Sequence, residues 1–202
     1  MKIGYLDPPY IGQSKRHYGD HPDSAGEVDH WELLKSLRQY DGWILHMSAP
    51  SCSYILHAAE EMGVGGRLMA WVKPFAAFKR NVPVAYAWEP VLVSEARKPV
   101  VAGRVVMRDW CSESITMQRG LSGAKPEQVC RWLFEVVGAE PDDDLIDVYP
   151  GSGAVAAAWD RWRADILNPD SAPDPATTRF DRLPKWAQDE IRGLRAELEG
   201  LS

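Results

Sequence analysis

The chain has 202 residues, 45% of them hydrophobic and 26% charged, with nine tryptophans; this excludes a disordered chain and suits one well-buried domain rather than two. A formal charge of -6 excludes a protein that coats nucleic acid through charge alone, so any such contact has to be local. Cys52, Cys111 and Cys130 form no CxxC pair, which argues against a zinc site or a disulfide framework and for a reducing compartment. No stretch approaches the roughly eighteen apolar residues of a membrane helix, and the opening MKIGYLDPPY lacks a secretory core, so a soluble, cytoplasmic protein is expected.

Lys2 to Leu6 reads as a short buried strand that Asp7-Pro8-Pro9 must end, because proline offers no ladder donor and restricts the residue before it. From Glu27 to about Tyr40, Val28, Trp31, Leu34 and Leu37 recur at helical spacing, and Asp41-Gly42 stops the run. Trp43 to Met47 is the second strand. Ser51 or Ser53 then caps a helix carrying Tyr54, Ile55, Ala58 and Met62, broken at Gly63 to Gly66. Leu68 to Val72 is a third strand closed by Lys73-Pro74, and the strand-helix alternation predicts right-handed crossovers and a parallel sheet.

The middle of the chain is less regular. Ala85 to Ser94 and Arg104 to Trp110 are strand-like, with a turn between them, and the tryptophans Trp71 and Trp88 are expected in the core. Pro126 suits the first position of a helix through Val137, stopped by Gly138. Leu145 to Tyr149 is a strong strand and Ala154 to about Trp162 a helix. From residue 168 the proline-rich NPDSAPDPATT reads as a linker, followed by a charged amphipathic helix from Leu183 to Leu201.

Two turns stand out. Asp144 to Trp159 holds a buried strand that ends in an acid and a Gly-Ser-Gly turn before an alanine-rich helix, which lets a ligand approach backbone. Alone, such a turn is as often an ordinary strand-to-helix connection. Both this turn and Asp7-Pro8-Pro9-Tyr10 fall at C-terminal edges of strands, where open α/β sheets bind ligands. The quartet's chemistry fits an exocyclic amine conjugated to a nucleobase, whose delocalised lone pair makes it a poor nucleophile. A carboxylate at Asp7 and the Pro8 carbonyl each accept one N–H, holding the nitrogen closer to tetrahedral, while Tyr10 stacks on a base turned out of its helix. A rigid turn with a core tyrosine is the plainer reading of the same residues.

Asp7-Pro8-Pro9-Tyr10 resembles the catalytic motif of S-adenosylmethionine-dependent amino-methyltransferases, and Asp147-Val148-Tyr149-Pro150-Gly151-Ser152-Gly153 resembles their cofactor motif. The Lys125-Pro126 segment looks like the one that precedes that motif. Catalytic motif first and cofactor motif last is the order of the permuted, beta-type DNA methyltransferases, and WVKPFAAFKRNVPVAYAWEPVLV is similar to adenine methyltransferases that include RNA adenosine enzymes and many phage proteins.

The resemblance implies a Rossmann-like α/β sheet, permuted and shortened, with helices on both faces. Residues 1–167 would form the methyltransferase domain, 75–118 a target-recognition insert, and 168–202 a linker and terminal helix. It implies methyl transfer from S-adenosylmethionine to adenine N6 in DNA, with no metal. The alternatives are cytosine N4, RNA adenosine, or a non-catalytic subunit that keeps the fold. Asp7, Pro8, Pro9 and Tyr10 are the implied catalytic residues; Asp7, Lys125, Asp147, Tyr149, Pro150, Gly151, Ser152 and Gly153 are implied at the cofactor.

The chain departs from the family after Trp162. Only a strand stub, Arg163 to Leu167, stands where a second strand and a ribose-binding acid are usual, leaving Asp165 as a weak candidate for that acid. Lys15, Arg16 and Tyr18 are candidate contacts to phosphate and base, in a loop whose histidines His17, His21 and His30 read as solvated. Lys73, Lys79, Arg80, Arg97, Lys98, Arg104, Arg108 and Arg119 concentrate positive charge, although solvated loops are the default for such residues. Specific recognition by so small an insert points to a homodimer or a partner subunit.

Overall fold

The computed structural model describes residues 1–9, 28–75, 82–97, 106–115 and 124–168. The chain divides into two compact units, Met1–Arg163, which holds the sheet, and Ala164–Ser202, of which only the beginning is described. The expected linker and terminal helix lie outside the described residues, as do Tyr10 and the loop of Lys15, Arg16 and Tyr18.

In chain order the elements are β1 (Lys2–Leu6), α1 (His30–Ser36), β2 (Gly42–His46), α2 (Cys52–Glu61), β3 (Arg67–Val72), β4 (Trp88–Ser94), β5 (Trp110–Ser112), α3 (Glu127–Val136), β6 (Asp144–Asp147) and α4 (Ala154–Leu167), with 3-10 turns at Leu37–Gln39 and Ala49–Ser51. Asp29 caps α1, its carboxylate accepting from the amides of Trp31 and Glu32. Ser51 precedes α2 without a side-chain cap; Ser48 caps the 3-10 turn before it. Pro126 sits at the N-cap of α3 in extended conformation, one position earlier than expected.

The six strands lie in the order β5-β3-β4-β2-β1-β6. β1 pairs in parallel with β2 and β6, and β3 with β5, whereas β4 runs antiparallel to both β2 and β3. The expected all-parallel order is therefore corrected: β3 does not neighbour β2. β4 instead pairs with β3, with Val72 opposite Trp88, and an antiparallel pair requires no crossover helix. β5 likewise begins at Trp110, the residue at which the expected Arg104 to Trp110 strand ends.

Side-chain alternation sorts the strands onto two cores. Leu6, Trp43, Leu45 and Leu92 pack with Leu33, Leu34 and Leu37 and with Ile55, Ala58 and Ala59 of α2. On the other face Ile3, Tyr5, Ile44, Trp71, Val91 and Val93 pack under Leu133 and Phe134 of α3 and Trp159 and Trp162 of α4. Phe134 meets Trp159 edge-on at 5.0 Å, and Trp159 stacks on Trp162 at 4.9 Å. Helices thus cover both faces, as expected. Trp71 is core, but Trp88 is 42% exposed at the start of β4, and His30, expected in a solvated loop, is buried on α1 with its Nδ1 against the Val28 carbonyl at 2.8 Å.

Candidate active site at the C-terminal edge of the sheet

Because β1 and β6 are parallel neighbours with Tyr5 opposite Asp147, the two motifs leave the sheet side by side. The Val148 amide extends the pairing by donating to the Tyr5 carbonyl at 3.0 Å. Beyond it, Asp7 is half-buried and Pro8 buried. The two turns that are far apart in sequence share one edge.

Asp147 is the tensest residue of this edge. Both its carboxylate oxygens are buried, and neither has a hydrogen-bond partner among the described residues. Burial pushes its pKa up to about 6; the nearby Tyr149 amide, short of good hydrogen-bond geometry, offsets this in part, and the Asp7 charge adds to the rise. After it, Gly151 and Gly153 adopt φ of +45° and +72°, a region that side-chain-bearing residues rarely enter. The Gly153 amide donates to the Pro150 carbonyl at 2.7 Å, closing the turn just before α4 begins. Among the described residues a Cβ at Gly153 would meet nothing within 4 Å, and one at Gly151 only the Tyr149 carbonyl at 3.8 Å, so none of them fills the space in front of the turn.

Lys125 reaches the Asp7 turn. Its Nζ lies 2.9 Å from Asp7 Oδ1 and 2.9 Å from Glu89 Oε1, so it ties the catalytic-type turn to β4. Glu89 is buried and also accepts from Lys73 Nζ at 2.8 Å and from His46 Nδ1 at 2.8 Å; His46 Nε2 meets the Tyr5 hydroxyl at 2.8 Å. Burial opposes ionisation of Glu89 most strongly, yet Lys125, His46 and Lys73 together hold its carboxyl well below the usual carboxylate range. Donor atoms of Asp7, His46 and Glu89 lie within 4.8 Å of one another, a spacing a metal ion would accept, but the Lys125 ammonium already supplies a cation to both carboxylates.

Sequence reasoning missed Glu89, His46 and Tyr5. The available signal was an acid inside an apolar strand (WEPVLVS) and a histidine closing another (GWILH), each two residues from an apolar residue of the core, Val91 and Ile44.

The basic candidates divide. Arg97, expected at phosphate, instead grips buried Asp143 through two bonds of 2.5 and 2.7 Å and donates to the Gly138 carbonyl at 3.0 Å. Its role is to lock the loop before β6, because a buried carboxylate outcompetes solvent for a planar guanidinium. Lys73 is committed to Glu89 and to the Trp71 ring, 4.3 Å away. Arg108 lies over the exposed Trp110 ring at 5.2 Å, with both residues at the surface. Lys79, Arg80, Lys98, Arg104 and Arg119 lie outside the described residues. Asp165 is also corrected: α4 continues unbroken to Leu167, so the acid stands on a helix and not at the end of a strand. A groove of about 530 Å³ beyond β2, lined by Val28, His30, Ser48, Ser51 and Tyr54 among others, includes no residue of either motif.

Among solved structures, the chain resembles M1.HpyAVI in complex with SAM, with a TM-score of 0.53 and 19% identity over 80% of this chain and 78% of that one. The fold is a Rossmann-like methyltransferase fold. A second M1.HpyAVI structure matches with a TM-score of 0.51 and 16% identity over 80% and 76% of the two chains. No family model matches the chain, and no curated protein does. On this methyltransferase fold the two motif-bearing turns occupy adjacent parallel strands, and no helix among the described residues is long and apolar enough to cross a membrane.

Proposed function

We propose that the chain transfers a methyl group from S-adenosylmethionine to the exocyclic amine of a nucleobase in DNA, with adenine N6 as the target. The observation that carries this reading is the buried, unpartnered carboxylate of Asp147 beside an open glycine turn, set next to Asp7-Pro8-Pro9 on the neighbouring strand. The likeness to M1.HpyAVI, a DNA methyltransferase solved with SAM, supports it at the level of class. Adenine is favoured because the stretch around β3 and β4 is similar to adenine enzymes.

The residues present fit the cofactor. An uncompensated buried acid is costly unless a cation meets it, and the cofactor's methionine end carries an ammonium. Asp147 would hold that end, Gly151 and Gly153 would leave room for it, and Tyr149, Pro150 and Ser152 would frame the turn. The bound cofactor supplies an electrophilic methyl group on a sulfonium. Asp7 and the Pro8 carbonyl accept the two amine N–H groups and orient the nitrogen lone pair, and Asp7 stabilises the positive charge that develops there. Tyr10 stacks on the target base. Lys125, assigned by resemblance to the cofactor pocket, acts here on Asp7. Lys15, Arg16, Tyr18, Lys79, Arg80 and Lys98 remain proposed nucleic-acid contacts, with a second copy or a partner subunit completing recognition.

Calorimetry with S-adenosylmethionine, run beside methylation of unmodified DNA and nucleoside mass spectrometry, tests the reading. Binding with formation of N6-methyladenine is expected. N4-methylcytosine, or transfer to RNA only, would move the target; absence of binding at millimolar cofactor would leave a non-catalytic subunit that keeps the fold.

A further inference from the structure

We infer that Glu89 is a positioning residue of this site, holding the Lys125 ammonium against Asp7 through a buried chain that runs Tyr5, His46, Glu89, Lys125, Asp7. What the chain serves rests on the methyl-transfer reading; the chain itself does not.

The strand pairing brings it together. Tyr5 on β1, His46 on β2 and Glu89 on β4 share the α3/α4 face, since Ile3, Ile44 and Val91, two residues from each, belong to that core. His46 is fully buried and Glu89 5% exposed, so this polar row replaces apolar packing in the middle of the sheet. Burial keeps the Tyr5 hydroxyl protonated, its pKa raised well above the ordinary value by desolvation and then by Cys130, Asp7 and Glu89. His46 Nε2 shares a hydrogen bond of 2.8 Å with the Tyr5 hydroxyl, and because the ionised Glu89 can only accept, His46 Nδ1–H donates to its Oε1. That bond fixes one oxygen of Glu89, and Lys73 fixes the other. The Lys125 ammonium is then held between a clamped carboxylate and Asp7, at 2.9 Å from each.

The division of charge is what the active site gains. Two carboxylates, Glu89 and Asp7, face two ammoniums, Lys73 and Lys125. Because Glu89 shares Lys125, the lysine orients Asp7 without neutralising it alone, and Asp7 remains a strong acceptor for the amine. A purely structural pair would close on itself inside the core; this one ends on the partly exposed acid of the catalytic-type turn.

Glu89→Gln keeps the shape and removes the charge, and it turns an amide NH2 toward Lys73 or Lys125. Two measurements decide. Lys125 is labelled with an amine-reactive ester and followed by peptide mass spectrometry, with Lys35, exposed on α1, as internal reference; labelling of Lys125 is expected to rise about tenfold with Lys35 unchanged. On DNA, kcat is expected to fall about a hundredfold while cofactor affinity and KM stay near wild type, the size of effect that misplacing one catalytic group produces. If the Glu89→Gln protein does not fold, Lys73→Met combined with Glu89→Gln removes one cation with the anion, and the same two expectations apply. Unchanged Lys125 labelling overturns the inference, whatever the turnover. Faster labelling with wild-type kcat also overturns it, because position would then have no bearing on turnover. If the wild-type protein itself transfers no methyl group, the proposed function is what fails, and the labelling alone decides the positioning of Lys125.

Discussion

Asp147 and Asp143 stand a few residues apart and show opposite ways of burying an acid. Asp143 is gripped by Arg97, while Asp147 has no partner among the described residues and waits, on our reading, for a cationic ligand. The folded pKa of Asp147 is raised from 3.8 to about 6, so the stability it contributes is fully present below pH 3.8 and lost as pH rises towards about 6. In thermal melts the Asp147→Asn variant is expected to gain on wild type as pH rises across that range, the groups that both proteins share cancelling in the difference. The same substitution is expected to weaken S-adenosylmethionine binding about a hundredfold at pH 7, read by calorimetry. Wild-type affinity itself rises as pH passes through about 6, because only the ionised acid meets the ammonium. Asp7→Ala is expected to abolish turnover with cofactor affinity retained, and near-wild-type turnover would remove Asp7 from the mechanism. At this scale the sequence was legible where chemistry is local: Asp7-Pro8-Pro9 and the Gly151, Gly153 turn announce themselves. Glu89, His46 and the true partner of Arg97 were not, because each acquires its meaning only when strands distant in sequence pair.

The elements divide along the same line. β1, β2, β3 and α3 follow from local periodicity and punctuation, and their bounds differ from expectation by a residue or two. The place of β4 in the sheet does not follow, since a mostly apolar run of seven residues carries no sign of its direction. The length of α4 was hidden as well: the pattern of Arg163 to Leu167 fits a strand stub as well as a last helical turn. Element-scale predictions concern the two clamps around β6. Arg97→Ala leaves Asp143, whose side chain is 1% exposed, with the Met1 ammonium at 2.6 Å as its remaining cation, and is expected to cost about 2 kcal/mol in urea unfolding with no change in the salt dependence of DNA binding. Gly153→Val forces a β-branched residue to φ of +72° and fills the space in front of the turn. It is expected to eliminate cofactor binding by calorimetry while the helical signal in circular dichroism is kept.

For the whole molecule, with Arg97 and Lys73 already engaged, the proposed cations for a duplex are Lys15, Arg16, Lys79, Arg80 and Lys98. DNA affinity is expected to fall with salt at a log-log slope of about -4.5, because the slope counts displaced counterions. The sheet also places the first strand of the chain in its interior, between β2 and the late-arriving β6. During vectorial synthesis β1 and β2 emerge early, but the hydrogen-bonding edge of β1 that β6 will occupy stays open until residue 147 has left the ribosome. Between the emergence of β1 and that of β6 the chain therefore carries a bare strand edge that its own later residues come to cover. The docking of β6 closes that edge and builds the candidate site in one event, so refolded protein should gain cofactor binding and resistance to aggregation at the same rate.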